Sequence, residues 1–264
     1  MGILGNSHAW RALVLACGMA WFGPAGLAAA TPDSSGASEP TARSAEPFGL
    51  FAATLSFGGL REKWLAVERR LDDERVQLAL CDGDRERCVS PAALQLLAIV
   101  DNARAREGRA RLGEINRAIN LAIRPMSDLA QWGEVDVWSS PLVTLTRGAG
   151  DCEDYAIAKF AALRLAGVAP EDLRIVVMRD TIRGEAHAVA MARLDGHWLT
   201  LDNRHMAMVE DTYVRNYRPL FVIDQTGVMQ YVDTPLLASV PDRGLAPPAA
   251  PGLAVEPGLI SASD

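Results

Sequence analysis

Apolar residues recur at helical spacing through the first half of the chain and at every second position through much of the rest. Leu60, Trp64, Val67 and Leu71 fall three or four apart, the stripe that one helix face presents to a core. A second run extends from Ala92 to about Arg106, and Ser90-Pro91 ahead of it supplies a cap and a first-turn proline. Ile115, Ile119, Ala122 and Ile123 predict a third helix, ended by Pro125. A fourth begins at Cys152 and stops at Gly167, with Pro170 as a second stop signal. Then the period changes. Leu173, Ile175 and Val177 alternate, and the apolar runs Ala188 to Leu194 and His197 to Leu201 flank Asp195-Gly196, a two-residue hairpin signal. Tyr217 to Asp224 reads as a further strand, which Pro219 assigns to a sheet edge because proline cannot donate to a ladder. Helices first and antiparallel strands later predict an α+β fold.

The Asp195-Gly196 turn also sets a register. If Leu194 pairs with His197, counting outward places Val189 opposite Asp202 and His187 opposite Arg204. His187 and Asp202 then share one face as diagonal neighbours, roughly 7–8 Å apart at the backbone and within reach of a side-chain hydrogen bond. A slip of one residue would put them on opposite faces.

Composition narrows the class. With 264 residues, 49% apolar and 22% charged, the chain can build a good-sized core, so fibrous and wholly disordered readings fail. A net charge of −7 offers no basic surface for phosphates, and no nucleic-acid-binding motif is present, so nucleic acid is excluded as a partner. The first thirty residues carry one fixed charge, Arg11, then the apolar stretch Ala12 to Phe22 and the small-residue end Ala28-Ala29-Ala30, the pattern of a signal peptide cleaved after Ala30. A second reading makes Cys17, after Leu15-Ala16, an acylated lipoprotein site. Residues 31–49 and 234–264 are Pro-punctuated, small and polar or Ala-rich, and read as a disordered linker and a disordered tail around a folded unit at 50–233.

Export bears on the cysteines, since Cys81, Cys88 and Cys152 would lie in an oxidising compartment and one of three must stay unpaired. Cys81 and Cys88 lie close enough to close a small disulfide loop across Asp82-Gly83. A metal site is the rival reading, weakened because no histidine lies nearby. Cys152 is then the free thiol. It falls where a helix begins, and the unpaired N–H groups and partial positive charge there favour thiolate. Cys152, His187 and Asp202 follow in an order that nucleophilic catalysis can use. His205 is an alternative base under another register, whereas His197, at the hairpin turn, should be solvated.

Three carboxylates surround the thiol. Asp151 can be a helix N-cap, with Asp154 completing an approximate capping box. Capping does not account for Glu153 or for so much negative charge beside a thiol. Three oxygen ligands in four residues, Asp151, Glu153 and Asp154, suit Ca²⁺. Both readings stand at the level of sequence.

These residues carry a resemblance. Asp136-Val137-Trp138 with Pro141, then Gly150-Asp151-Cys152-Glu153-Asp154-Tyr155-Ala156, Ala186-His187-Ala188-Val189 and Leu201-Asp202-Asn203 resemble the bacterial transglutaminase-like cysteine proteinases, specifically the LapG-type periplasmic proteases. Glu114-Ile115-Asn116 with Asn120 also fits, and the likeness runs from about Phe51 to Thr226. It implies a papain-like, transglutaminase-like core in which the cysteine helix packs on an antiparallel sheet carrying histidine and aspartate. It implies calcium-dependent proteolysis of a large surface adhesin near its N-terminus, at a site with two alanines, so that biofilm attachment is controlled. It also implies capture by the periplasmic domain of a membrane cyclic di-GMP receptor. Neither adhesin nor receptor is visible in composition or spacing. A transglutaminase or amidase would use the same thioester chemistry, and a triad-bearing binding module is the non-enzyme alternative.

Overall fold

The computed structural model describes residues 44–232. The expectations for the leader, for Cys17, for 31–43 of the linker and for the tail from 234 lie outside the described residues. Strand β1 (Phe51–Thr54) precedes three long helices, α1 (Gly59–Gly83), α2 (Pro91–Arg104) and α3 (Gly108–Ala122), which form where the apolar spacing predicts. Ser90 caps α2 as expected, its Oγ accepting from the Ala93 N–H at 3.2 Å, while Pro91 occupies a position whose N–H would have no helical partner. Two short helices, α4 (Asp128–Trp132) and α5 (Pro141–Arg147), carry too few turns to leave a periodic signal. Between them and α3 lies β2 (Arg124–Pro125), paired in parallel with β3 (Ala149–Gly150), which feeds α6 (Cys152–Leu165). Helix α6 stops where predicted. Gly167 takes φ +88°, and bonds from Val168 N–H to Leu163 O and from Gly167 N–H to Arg164 O, each 3.1 Å, close the last turn.

The later strands are β4 (Leu173–Asp180), β5 (Ala186–Leu194), β6 (His197–Leu201), β7 (Val209–Glu210), β8 (Tyr217–Asp224) and β9 (Gly227–Val232). They join β1 in a seven-stranded antiparallel sheet of order β1-β9-β8-β4-β5-β6-β7. The architecture is therefore α+β, with the cysteine helix on the sheet. Alternation assigns the two faces. Ile175, Ala188, Ala190, Ala192, Leu199, Leu201 and Ile223 join the main core with α6, whereas Val176, Met178, Val189, Met191, Trp198 and Val222 form a second cluster on the other face. In the middle of β5 the α6-facing residues Ala188, Ala190 and Ala192 are all alanine, 0–4% exposed, so the helix seats close to the strand.

Pro219 is not at an edge. Strand β8 runs between β9 and β4, and proline is tolerated there for two local reasons. Pairing with β9 starts only at Phe221, and the ladder to β4 shifts between Val177 and Met178, where Met178 faces Pro219. The folded unit also begins before residue 50. Glu46 makes two bonds to Arg174, at 2.7 and 2.9 Å, Ala45 O accepts from Trp198 Nε1 at 3.0 Å, and the Phe48 N–H donates to Asp211 at 2.6 Å. Residues 44–49 are thus fixed to the sheet, unlike the linker expected there. Cys81 and Cys88 form a disulfide, and Cys152 is the free cysteine among the described residues. No helix among the described residues is long and apolar enough to cross a membrane.

Candidate active site

The hairpin register is the one the turn predicts: Leu194 pairs with His197 and Ala190 with Leu201. It brings His187 and Asp202 together. His187, 1% exposed, sets Nε2 3.0 Å from Asp202 Oδ1, so the tautomer that satisfies both carries its proton on Nε2 and leaves Nδ1 as a lone-pair acceptor. Nδ1 is buried and has no partner. The ring stacks on Tyr217 at 5.6 Å between centroids, and Tyr217 Oη accepts from Arg204 Nη1 at 3.2 Å. Arg204 also donates from Nη1 to Asp180 Oδ2 at 2.9 Å and from its backbone N–H to Asp202 Oδ1 at 2.9 Å. Asn120 on α3 donates to the Asp202 carbonyl at 3.0 Å, and Asn116 to the Met206 carbonyl at 3.0 Å, so α3 clamps the loop after β6. Burial alone would raise the Asp202 carboxyl. The His187 bond and charge, the Arg204 N–H and the charge of Lys159 outweigh it and hold Asp202 below the ordinary range.

Cys152 opens α6 as expected, beside strand β5, where the Ala188 N–H, on the residue after His187, favours its thiolate. The thiol proton, however, is given to Glu153 Oε2 at 3.1 Å. The expected drift toward thiolate is reversed: burial, then the charge and hydrogen bond of Glu153, push the thiol well above its ordinary value. A helix N-terminus supplies only partial charge, which burial and the adjoining acidic groups together overcome.

Asp151 occupies the N-cap position but its side chain makes no capping bond, so capping does not explain it. It belongs instead to a cluster with Asp128 and Glu153, one oxygen from each lying within 4.8 Å of the others. Asp154 stands beside this group, accepting from the Ser139 N–H at 2.9 Å, and Asp128 accepts from the Val137 N–H at 2.5 Å. Gly150 makes room for the arrangement, since a Cβ there would sit 2.8 Å from Asp154 Cβ and Oδ2. Burial, first, and mutual repulsion raise Asp151 to about 6, Asp154 to about 7 and Glu153 to about 8. Asp128 Oδ1, Asp151 Oδ1 and Asp154 Oδ2 are buried without partners. Crowded carboxylates with orphaned oxygens fit a hard divalent cation. Of the predicted ligand trio, Asp151 and Glu153 are in the group, Asp154 is adjacent, and Asp128 was missed.

The other two histidines among the described residues are not bonded to this pair. His205 is exposed and contributes its backbone carbonyl to the Asn120 clamp, while His197 is solvated at the turn, 3.6 Å from Glu210. Trp138 is 8% exposed, packed in the core, and its Nε1 donates to Asp136 Oδ1 at 2.9 Å, a loop anchor. An apolar cavity of about 240 Å³ between α1, α2 and α6 is lined by none of the candidate residues.

A cysteine at a helix head laid on an antiparallel sheet that carries an imidazole–carboxylate pair is the arrangement of the transglutaminase-like class of cysteine enzymes. The family model described as bacterial transglutaminase-like cysteine proteinase matches residues 77–230, and the chain belongs to that family. Among solved structures, Legionella pneumophila LapG (EGTA-treated) matches at a TM-score of 0.50 with 21% identity, covering 62% of this chain and 87% of that one. The structure titled Legionella pneumophila LapG (calcium-bound) gives 0.48 with 22% identity, covering 55% and 82%. At such identities the first likeness bears on the fold alone. No curated protein matches the chain.

Proposed function

We propose that the chain is a calcium-dependent cysteine endopeptidase in which Cys152 is the nucleophile, His187 the general base and then acid, and Asp202 the group that orients the imidazole. The observation that carries this reading is the buried His187–Asp202 bond at 3.0 Å, which leaves Nδ1 unpartnered on the residue next to Ala188, whose N–H acts on the Cys152 thiol. In the reaction, Nδ1 takes the thiol proton, sulfur attacks the peptide carbonyl, and the Cys152 backbone N–H at the helix start receives the developing oxyanion. The Nδ1 proton passes to the leaving amine as the C–N bond breaks. Water, deprotonated by the same nitrogen, then hydrolyses the thioester and restores the thiol. Asp202 keeps the ring in one tautomer and stabilises the imidazolium.

Asp128, Asp151 and Glu153, with Asp154 alongside, are the residues that would hold Ca²⁺. A bound calcium would neutralise the carboxylates that now keep the thiol protonated. Export to the periplasm, cleavage of a large surface adhesin near its N-terminus and capture by a cyclic di-GMP receptor belong to the same proposal and rest on the family likeness. The test incubates the purified chain, with calcium or EGTA, with the N-terminal part of an adhesin encoded in the same genome. Two fragments formed only with calcium support the reading. A crosslinked product would show an acyl acceptor other than water, and an intact complex would show a binding module, either outcome overturning it.

A further inference from the structure

Of the 26 lysines and arginines in the chain, only Lys63 and Lys159 are lysine. Lys63 is a surface residue paired with Asp136, whereas Lys159 is 0% exposed. It follows Cys152 by seven residues, two helical turns, and therefore lies on the same face of α6. Its Nζ donates to the Leu201 carbonyl at 3.1 Å and sits 5.8 Å from the centroid of the Tyr155 ring. Leu201 is the last residue of β6 held by a strand partner, and Asp202 comes next. The charge of Lys159 acts on Asp202, and Asp202 is the group that opposes the effect of burial on the ammonium, which is drawn down to about 7. An apolar side chain of the same length would fill this space without the desolvation cost of a buried cation, so packing alone does not call for lysine.

We infer that Lys159 is a positioning residue: its ammonium ties the helix that begins with Cys152 to the strand end that presents Asp202 to His187, and sets a positive charge against the residue next to that carboxylate. This rests on the Cys-His-Asp reading above, and the test is chosen to separate the two. The full chain is labelled with ¹⁵N, and the His187 Nε2–H resonance, assigned by its loss in His187→Gln, is followed by NMR as pH falls. In the wild-type chain the proton is bonded and buried, so it should exchange slowly and persist until Asp202 protonates. Lys159→Met, shown folded by circular dichroism, should lose that resonance or lose it at a pH about one unit higher, a tenfold shift in the Asp202 equilibrium. Asp202→Asn should abolish the resonance alone, and adding Lys159→Met should then change nothing further, although both would lower the melting temperature. Lys159→Gln, which keeps a donor for Leu201, is the second variant and should shift the acid limit in the same direction. A folded Lys159→Met or Lys159→Gln chain whose resonance and acid limit match the wild type would reduce Lys159 to a core residue and overturn the inference. No substrate enters the measurement. An inactive wild-type chain with the expected resonances would therefore sink the endopeptidase reading and leave the role of Lys159 standing.

Discussion

The imidazole–carboxylate pair on the sheet and the carboxylate cluster at the head of α6 are both buried, yet their polar atoms fare differently. Around His187 and Asp202 charge meets charge: Asp202 accepts from His187 and from the Arg204 N–H, and Arg204 answers Asp180. At the helix head, Asp128, Asp151, Glu153 and Asp154 meet mostly one another, three of their oxygens lack partners, and the thiol is held by Glu153. Burial is common to both, and the sign of the neighbours decides the outcome: Asp202 titrates below the ordinary range and Asp151, Glu153 and Asp154 above it. On the sheet side the carboxylate has its partners, and His187 Nδ1 is the atom of the pair left open. On the helix side the carboxyl groups are balanced by holding protons or, in the proposed reading, by a cation.

The comparison can be broken by experiment. Cys152→Ala and His187→Ala should each remove essentially all turnover with circular dichroism unchanged, and retention of activity by either folded variant would end the triad reading. Next in size is the metal. EGTA should abolish cleavage of the adhesin segment, Ca²⁺ should restore it and Mg²⁺ should restore little, because Mg²⁺ demands tighter geometry and keeps its waters. Asp128→Asn should weaken the calcium response as Asp151→Asn does, and calcium titration by calorimetry with no change in Asp128→Asn would remove Asp128 from the ligand set. Asp202→Asn should lower kcat roughly 10²- to 10⁴-fold without unfolding, since it keeps shape and loses the charge and tautomer control.

The smallest effect is on stability, and here the two regions carry opposite signs. Asp151, Asp154 and Glu153 have folded values of about 6, 7 and 8, above the ordinary carboxylate values of an unfolded chain, so the folded form holds more protons as pH rises from about 4 to 8. Their contribution is present while they are protonated and is lost across that window. The melting temperature of the chelated chain should therefore fall from pH 5 to pH 8, and saturating calcium should flatten the fall. Asp202, lowered, contributes above the unfolded carboxylate range and loses that contribution only as pH drops through its folded value. A chelated chain that becomes more stable between pH 5 and pH 8 would contradict the account of the helix head.

Most of the sheet side was legible in the sequence. Asp195-Gly196 and the alternation around it set the pairing from Leu194–His197 outward, which is enough to place His187 and Asp202 on one face. The helix side was legible only in part. Asp151, Glu153 and Asp154 are neighbours along the chain, but Asp128 reaches them through a two-residue parallel pairing, β2 with β3, too short to leave a pattern. Tyr217 was likewise hidden: it meets His187 because β8 lies next to β4, and Pro219 had pointed β8 to the edge. The direction of the Cys152 shift is not legible in the sequence because it depends on how deeply the thiol is buried and on its contact with Glu153, neither of which the helix N-terminus reveals.

Ala188, Ala190 and Ala192 bear on how this chain can vary over evolutionary time. Each presents a single methyl to α6 and is almost without exposed surface, so added carbon atoms have nowhere to go except into the helix that begins with Cys152. Substitutions on the opposite side of β5, at Val189 or Met191, push instead on the second cluster, away from that helix. With respect to that helix one side of the strand is strict and the other lenient, and drift in side-chain volume among descendants of this sequence should accumulate at Val189 and Met191 rather than at Ala188, Ala190 or Ala192.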